Sequence, residues 1–290
     1  MRIETAGELL CPDEIEFKLV SDLIKSRFGL VFDLGRTGIL KNQLASRINE
    51  LSLITYTDYY HYLSYHPDRT PELEELARQI TNGESYFFRE HHHFEILRDH
   101  ILPRHHARSP QDPLRVLSAG CSAGQEAYSI AITLQEAATG TGAGGWKVDA
   151  CDIHPGRLDQ ARSARYGEAS LRTCRNADRR IYFEEDGNRY RVRSEYRNKV
   201  RFFPANLTDP AVADWGRYNV IFCRNVLIYF SDDAFHEAID QFTRCLLPGG
   251  YLFLGHSESL INRRDDFEPV SLGGHIVYRK KAAGPSSAYS

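Results

Sequence analysis

The residues Gly120-Cys121-Ser122-Ala123-Gly124-Gln125-Glu126 have the types and spacing of a ligand-binding turn. Glycines let the backbone pass close to a bound group, and a helix that starts at such a turn aims its free N–H groups at it. Gly120 and Gly124 fall short of a full GxGxxG pattern, and many strand-to-helix turns with two glycines bind nothing. Asp152 closes a second apolar run, where doubly wound folds hold a ribose hydroxyl pair; the same position would equally suit a cap for the helix after Pro155. These residues point to a nucleotide-like ligand. His256-Ser257-Glu258 has the residue types of a hydrolytic triad, but sequence neighbours cannot face one another in relay geometry, so the segment reads as a loop at a strand end. His91, His92 and His93 invite a metal reading. On a helix they would point about 100° apart and fail to converge on one ion, so no metal is expected.

Elements that would position these groups follow from periodicity. Leu114–Ala119 is an apolar run without helical period, as in a buried parallel strand, and Glu126–Glu136 reads as the helix after the turn, with Tyr128, Ile130, Ile132 and Leu134 apolar. Trp146–Ile153, Val200–Pro204, Tyr218–Arg224 and Tyr251–Gly255 are further strands. Arg157–Tyr166 and Asp232–Leu246 are helices between them, the second with Phe235, Ile239, Phe242 and Leu246 inward. A last strand, His275–Arg279, has no convincing helix before it and is expected to pair antiparallel with Tyr251–Gly255.

The α/β pattern is preceded and interrupted by other material. Residues 12–80 are helical in period: Ile15, Leu19, Leu23 and Ile24, then Leu40, Leu44, Ile48 and Leu51, then Leu73, Leu76 and Ile80. The tyrosine-rich Tyr56–Tyr65 reads as a helix packing amphipathic rings. Thr81–Glu90 is a junction, with Ser85 as N-cap of a helix through His100, and Pro103–Pro113 a polar linker. Thr139–Gly145 and the terminal Ala282–Ser290 read as a flexible loop and a disordered tail. In residues 167–200, Arg179–Phe183 and Arg189–Arg193 flank an Asp186-Gly187 hairpin signal. Arg189, Arg191 and Arg193 alternate along the second strand, giving a basic face that is either a solvated edge or a docking surface for an acidic partner.

Composition narrows the class. The 290 residues are 42% hydrophobic and 26% charged with a net charge of −3, as in a globular protein without the basic field that nucleic-acid binding needs. The N-terminus lacks a signal-peptide plan and no run approaches the ~20 apolar residues of a membrane span. The six scattered cysteines, without a CxxC pair, suit reduced thiols in a cytoplasmic protein.

The segments TNGESYFFRE, LSAGCSAGQEAYSIAI, ACDIHPGRL, FFPANL, IFCRNVLIYF and LFLGHSESL occur in that order. Together they resemble the chemotaxis-receptor glutamate methyltransferases, the CheR family. The resemblance implies a Rossmann-like methyltransferase sheet with an N-terminal all-α domain and a small antiparallel β insert. In that scheme residues 1–85 form the receptor-facing helical domain, 86–290 the S-adenosylmethionine-dependent domain, and 167–200 the insert within it. It implies methyl transfer from S-adenosylmethionine to glutamates on the cytoplasmic helices of methyl-accepting chemotaxis receptors. From charge and hydropathy, neither nucleic-acid binding nor membrane insertion is expected, and a monomer is expected. Position by position, the resemblance implies donor contacts from Gly83, Ser85, Arg89, Gly120, Glu126, Asp152, Asn206, Leu207, Arg224 and Asn225. Arg89 and Tyr229 match the residues held to act at the methyl-transfer centre. Lys41 and Arg47 lie on the helix that in the family carries receptor-facing basic residues.

Three departures from the pattern stand out. Gly83 and Ser85 replace a frequent Asn and Thr, Gln125 replaces a frequent second glutamate, and the insert turn is short. The short turn speaks against docking on a C-terminal receptor pentapeptide. Two other classes fit the residues: a methyltransferase for a different carboxylate acceptor, and a cofactor-binding signalling module without turnover, against which the retained Arg89 and Tyr229 argue.

Overall fold

The structure is a computed structural model that describes residues 14–31, 34–80, 85–138, 145–210 and 215–282. Gly83, most of the Thr139–Gly145 loop and nearly all of the terminal tail lie outside these residues. Two compact units are present: one takes the chain up to Asn82 together with Tyr229–Phe235, the other Gly83–Ile228 with His236–Ser290.

The first unit contains α1 (Glu14–Phe28), α2 (Leu34–Glu50), α3 (Tyr56–Tyr65) and α4 (Arg69–Ile80). Thr55 caps α3: its hydroxyl accepts from the Asp58 N–H and the Asp58 carboxylate accepts from the Thr55 N–H, a reciprocal capping box. Val20, Ile24, Leu40, Leu44, Ile48, Tyr56, Tyr59, Leu63 and Leu76 form its dry core. The apolar face of α1 is rotated from the one its spacing suggests. Val20 and Ile24, one turn apart, point inward, whereas Ile15 and Leu19 stay exposed. Tyr229–Phe235 returns to this unit as an edge. Leu30 bridges Phe230 antiparallel, the Val31 N–H donates to the Tyr229 carbonyl at 2.8 Å, and the Ser231 N–H to that of Gly29 at 2.8 Å.

A buried charge network lies between α2, α3 and α4. The Arg47 guanidinium donates to both Glu72 oxygens, from Nε at 3.0 Å and Nη2 at 2.5 Å, and the Tyr59 hydroxyl donates to Glu72 Oε1 at 2.6 Å. Arg47 also pairs with Glu50. Arg47 is therefore not the surface cation that the family resemblance suggests: it is 8% exposed and spent on the helix packing. Lys41 stays nearer the surface, its Nζ 5.0 Å above the Phe17 ring.

The second unit is a seven-stranded sheet. Its strands are β1 (Leu114–Ala119), β2 (Trp146–Asp152), β6 (Val200–Pro204), β7 (Tyr218–Cys223), β8 (Leu246–Leu254), β9 (Phe267–Leu272) and β10 (His275–Lys280), ordered β6-β2-β1-β7-β8-β10-β9. The first five in that order are parallel, and β10 pairs antiparallel with both β8 and β9. Helices α7 (Gln125–Ala138), α8 (Pro155–Ser163) and α11 (Asp232–Cys245) are the crossovers. In α7 every residue from Ala127 to Leu134 is buried, so Tyr128, Ile130, Ile132 and Leu134 mark a helix enclosed nearly all round.

Several sequence expectations need correction. Ser85 caps no helix: the chain turns through Phe87–His91, and α5 (His92–Ile96) starts later and runs through the π-helical Leu97–Ile101 into α6 (Leu102–Arg108). The linker expected from Pro103 is thus half helix, with Pro103 in the turn where the π-helical segment passes into α6. Tyr166 leaves α8 and joins β3 (Arg165–Tyr166), the edge of a three-stranded insert sheet ordered β3-β5-β4. Its hairpin is β4 (Phe183–Asp186) and β5 (Arg189–Val192), because Asn176–Tyr182 is helix α9. Across the hairpin Arg191 opposes Glu184 and Arg189 opposes Asp186, so the basic strand faces acidic partners in its own sheet. Strand β9 has no counterpart in the sequence reading.

The Glu72→Ala variant is expected to lower stability by about 3 kcal/mol, because it removes the buried carboxylate that the Arg47 guanidinium and the Tyr59 hydroxyl share, leaving Arg47 its partly exposed pairing with Glu50. Urea denaturation would measure this; a loss below about 0.5 kcal/mol would contradict the network's role.

Candidate functional site

In the sheet unit the chain runs outward in both directions from β1, to β2 and β6 on one side and to β7 and β8 on the other. Open α/β sheets bind ligands outside the carboxyl ends of the strands at such a switch. Most of the sequence-predicted donor residues sit at those ends.

Gly120 follows β1 with φ 74°, and a Cβ there would come 2.5 Å from Val226 Cγ2, so only glycine fits. The Gly120 and Cys121 N–H groups both donate to the Cys151 carbonyl at 2.9 Å. Ser122, at φ 51°, donates its N–H to Asp152 Oδ2 at 2.7 Å, and Asp152 Oδ1 accepts the His154 N–H at 3.0 Å. Asp152 therefore ties the turn after β1 to the end of β2. It does not cap α8, a task that falls to His154, whose Nδ1 accepts the Gly156 N–H at 3.0 Å. Burial pushes the Asp152 carboxyl up and the two N–H bonds oppose it. A carboxylate has about four lone-pair sites, so acceptor capacity remains for a hydroxyl pair.

Glu126, in the first turn of α7, accepts the Ser118 hydroxyl at 2.6 Å and lies 3.3 Å from Arg224 Nη1. Burial raises its carboxyl above the ordinary range against the pull of Arg224 and Ser118. Arg224 follows β7 with its side chain 2% exposed. It also lies 3.6 Å from Glu90, donates to the Arg89 carbonyl, and stacks its guanidinium 5.5 Å from the Phe94 ring. Arg224, Glu126, Glu90 and the backbone of Arg89 are thus one assembly. Asn225, at φ 59°, makes the turn that follows.

Arg89 itself stands between two residues in the left-handed region, Phe88 and Glu90, both at φ 55°. The segment is held from behind. Phe87 is fully buried, edge-on to Tyr166 and Phe183 at 4.9 Å each, and its N–H donates to the Ser170 carbonyl at 2.9 Å. The Phe88 N–H donates to Ser129 Oγ at 2.9 Å. Such local strain persists only where the surroundings over-determine it. The Arg89 guanidinium lies 5.9 Å from the Tyr86 ring. Ser85 donates to Gln125 Oε1 at 3.1 Å, so two of the positions that depart from the family pattern bond each other. Asn206, beyond β6, folds its Oδ1 back onto the N–H and hydroxyl of Thr208 at 3.2 and 3.0 Å, and Leu207 is buried. Tyr229 belongs to the helical unit, half-buried against its core.

Sequence reasoning missed Glu90 and Glu258. Glu90 accepts from or pairs with His256 Nδ1 at 3.1 Å as well as Arg224. Burial works against its ionisation, but Arg224 and His256 outweigh that and hold its carboxyl low. His93 Nδ1 lies 3.4 Å from Glu90, and burial with the nearby Arg224 drives His93 down to about 2, so its ring is neutral. The ligand-type cluster is not the histidine triplet: Glu90, His92 and His93, without His91, bring such atoms within 4.8 Å of one another. A cation there would meet the Arg224 guanidinium already paired with Glu90.

Comparison with known proteins decides the family. The description "CheR methyltransferase, SAM binding domain" matches residues 83–275, and "CheR methyltransferase, all-alpha domain" matches residues 15–81. The chain belongs to the CheR methyltransferase family. It is 36% identical over 277 residues to the chemotaxis protein methyltransferase of Escherichia coli K12, covering 93% of this chain and 92% of that one. It is 35% identical over 273 residues to the one of Salmonella typhimurium, covering 93% and 91%. Among solved structures, a magnesium protoporphyrin IX methyltransferase from Synechocystis PCC 6803 aligns with TM-score 0.36 at 13% identity, covering 94% of this chain and 99% of that one. The protein is an S-adenosylmethionine-dependent methyltransferase of the chemotaxis class. The residues fit that donor: Asp152 retains acceptors at the end of β2, the Gly120 turn brings the first turn of α7 to the strand ends, and Asn206 sits beyond β6. Among the described residues no helix is long and apolar enough to cross a membrane.

Because Glu90 titrates lower when folded, its contribution to stability is present above about pH 4.3, the reference value of a glutamate, and is lost as pH falls through the folded value. Glu90→Gln should cost about 2 kcal/mol near neutral pH, with the gap to wild type closing in acid. Urea midpoints across pH 3–8 would test this, and a gap that widens in acid would refute it.

Proposed function

We propose that this protein transfers the methyl group of S-adenosylmethionine to glutamate side chains on the cytoplasmic helices of methyl-accepting chemotaxis receptors. The products are glutamate methyl esters and S-adenosylhomocysteine. The observation that carries this reading is the match of both domains, end to end, to chemotaxis protein methyltransferases.

The chemistry fits the residues. The donor supplies a methyl carbon on a sulfonium sulfur. A glutamate, with a reference pKa near ~4.3, is already ionised at neutral pH, so no general base is required. The work left to the protein is alignment, for which reacting atoms must sit about 3–3.5 Å apart and in line. Arg89, an always-charged fork on a rigid turn, suits a carboxylate, either the donor's or the substrate's. Tyr229 suits a hydrogen bond that fixes the angle of the attacking carboxylate; a stronger bond would hold charge on the oxygen and blunt the attack. Gly120, Glu126, Asp152, Asn206, Leu207, Asn225, Ser85 and Gly83 are the proposed donor contacts. Arg224 serves by holding Arg89 and Glu126 in place.

Receptor recognition in this proposal does not rely on Arg47, which is buried. Exposed cations of the helical unit include Lys18, Lys25 and Arg27 on α1, which would act by salt-sensitive steering. The two-residue Gly187-Asn188 connection of the insert hairpin supports recognition without a C-terminal receptor pentapeptide.

With matched receptor and methyl-labelled donor, label is expected in receptor glutamates as base-labile ester, whether or not the receptor keeps its last five residues. Donor binding without labelling would overturn the proposal. Arg89→Ala and Tyr229→Phe should each lower turnover about a hundredfold while unfolding midpoints shift by less than about 0.5 kcal/mol.

A further inference from the structure

The carboxylate of Glu258 is aimed at backbone, and its setting differs from that of any other acidic side chain described above. Oε1 accepts the N–H groups of Val226 at 2.9 Å, Leu227 at 2.8 Å and Ile228 at 3.3 Å. Oε2 accepts those of Asn225 at 2.9 Å and Gly255 at 2.6 Å. Glu258 is only 9% exposed, and its own N–H donates to the Gly255 carbonyl at 2.9 Å, which closes the turn that aims the side chain. The approach is so close that a Cβ on Gly255 would lie 2.9 Å from the Asn225 nitrogen and 2.6 Å from its Nδ2.

Two strand ends are joined by this one group, that of β7 through Asn225–Ile228 and that of β8 through Gly255. Asn225 takes a left-handed backbone, which asparagine tolerates better than most residues with a Cβ, and the carboxylate bond to its N–H helps hold it there. Val226, on the same turn, packs its Cγ2 into the space that a side chain at Gly120 would need. The chain of contact therefore runs from Glu258 through Val226 to the glycine turn after β1.

We propose that Glu258 is a positioning residue for the donor site: it sets the turn after Arg224 against the Gly120 turn, so that Asn225 and the glycine backbone face the donor together. It touches neither donor nor acceptor and moves no proton. The proposal concerns donor binding and is independent of which acceptor is methylated.

S-adenosylhomocysteine titrated into the full chain by calorimetry tests it. In Glu258→Gln an amide N–H₂ meets N–H groups that need acceptors, and affinity should fall about ten- to a hundredfold. Glu258→Asp keeps the charge and should fall less. A Phe242→Leu variant in the core face of α11 supplies a matched loss of stability and should bind as wild type does. Wild-type affinity in a folded Glu258→Gln or Glu258→Asp protein would overturn the proposal, as would an equal loss in Phe242→Leu. In the unaltered protein, the Asn225, Val226 and Leu227 amides should resist hydrogen exchange like the sheet; exchange at the rate of open loops would also overturn it.

Discussion

A single buried cation organises the site. The Arg224 guanidinium reaches Glu126 on α7, Glu90 on the FFRE turn and the carbonyl of Arg89, with an aromatic ring beneath it. A guanidinium out of water is tolerable only when carboxylates and carbonyls surround it. Those partners come from segments far apart in the chain, so satisfying Arg224 brings the junction turn, the first turn of α7 and the end of β7 to one place. The same charge decides the ionisation of its neighbours. It holds Glu90 low and opposes the upward push of burial on Glu126.

Around that cation the protein stores backbone strain. Phe88, Glu90, Ser122 and Asn225 are all left-handed without being glycine. Ser122 and Asn225 are each held by a carboxylate that accepts the residue's own N–H, Asp152 for the first and Glu258 for the second. Phe88 is held by Ser129 and by the packing of Phe87. A site that must align three atoms in a line gains from turns that cannot relax, and a charge-assisted bond to a peptide N–H in a dry setting is a strong way to stop them.

Much of the fold was legible. β1 and β6 have the bounds that their apolar runs suggest, and the Asp186-Gly187 signal does lie at the hairpin. Errors cluster where one local rule competed with tertiary contacts. A hydroxyl before an apolar stretch made Ser85 look like a helix cap, but its partner is Gln125, forty residues on. The family resemblance put Arg47 on a receptor-facing surface, but Glu72 and Tyr59, on two other helices, draw it inward. β9 escaped because Phe267, Val270 and Leu272 are spread among charged and small residues, as in an edge strand, whose one strand partner among the described residues is β10.

The sequence by itself determined the family, the main parallel strands with their crossover helices, and the chemistry on offer: a glycine turn, an acid after the second strand, an arginine fork and a tyrosine. These are local, since strand and helix periods, turn residues and contiguous motifs need only near neighbours. Tertiary structure alone decided which polar groups are spent on architecture. Arg47, Arg224 and Glu258 are indistinguishable in the chain from residues that meet solvent or ligand. Their fate rests on partners brought in by sheet order and helix packing, because a charge leaves water only where distant parts of the chain supply its hydrogen bonds.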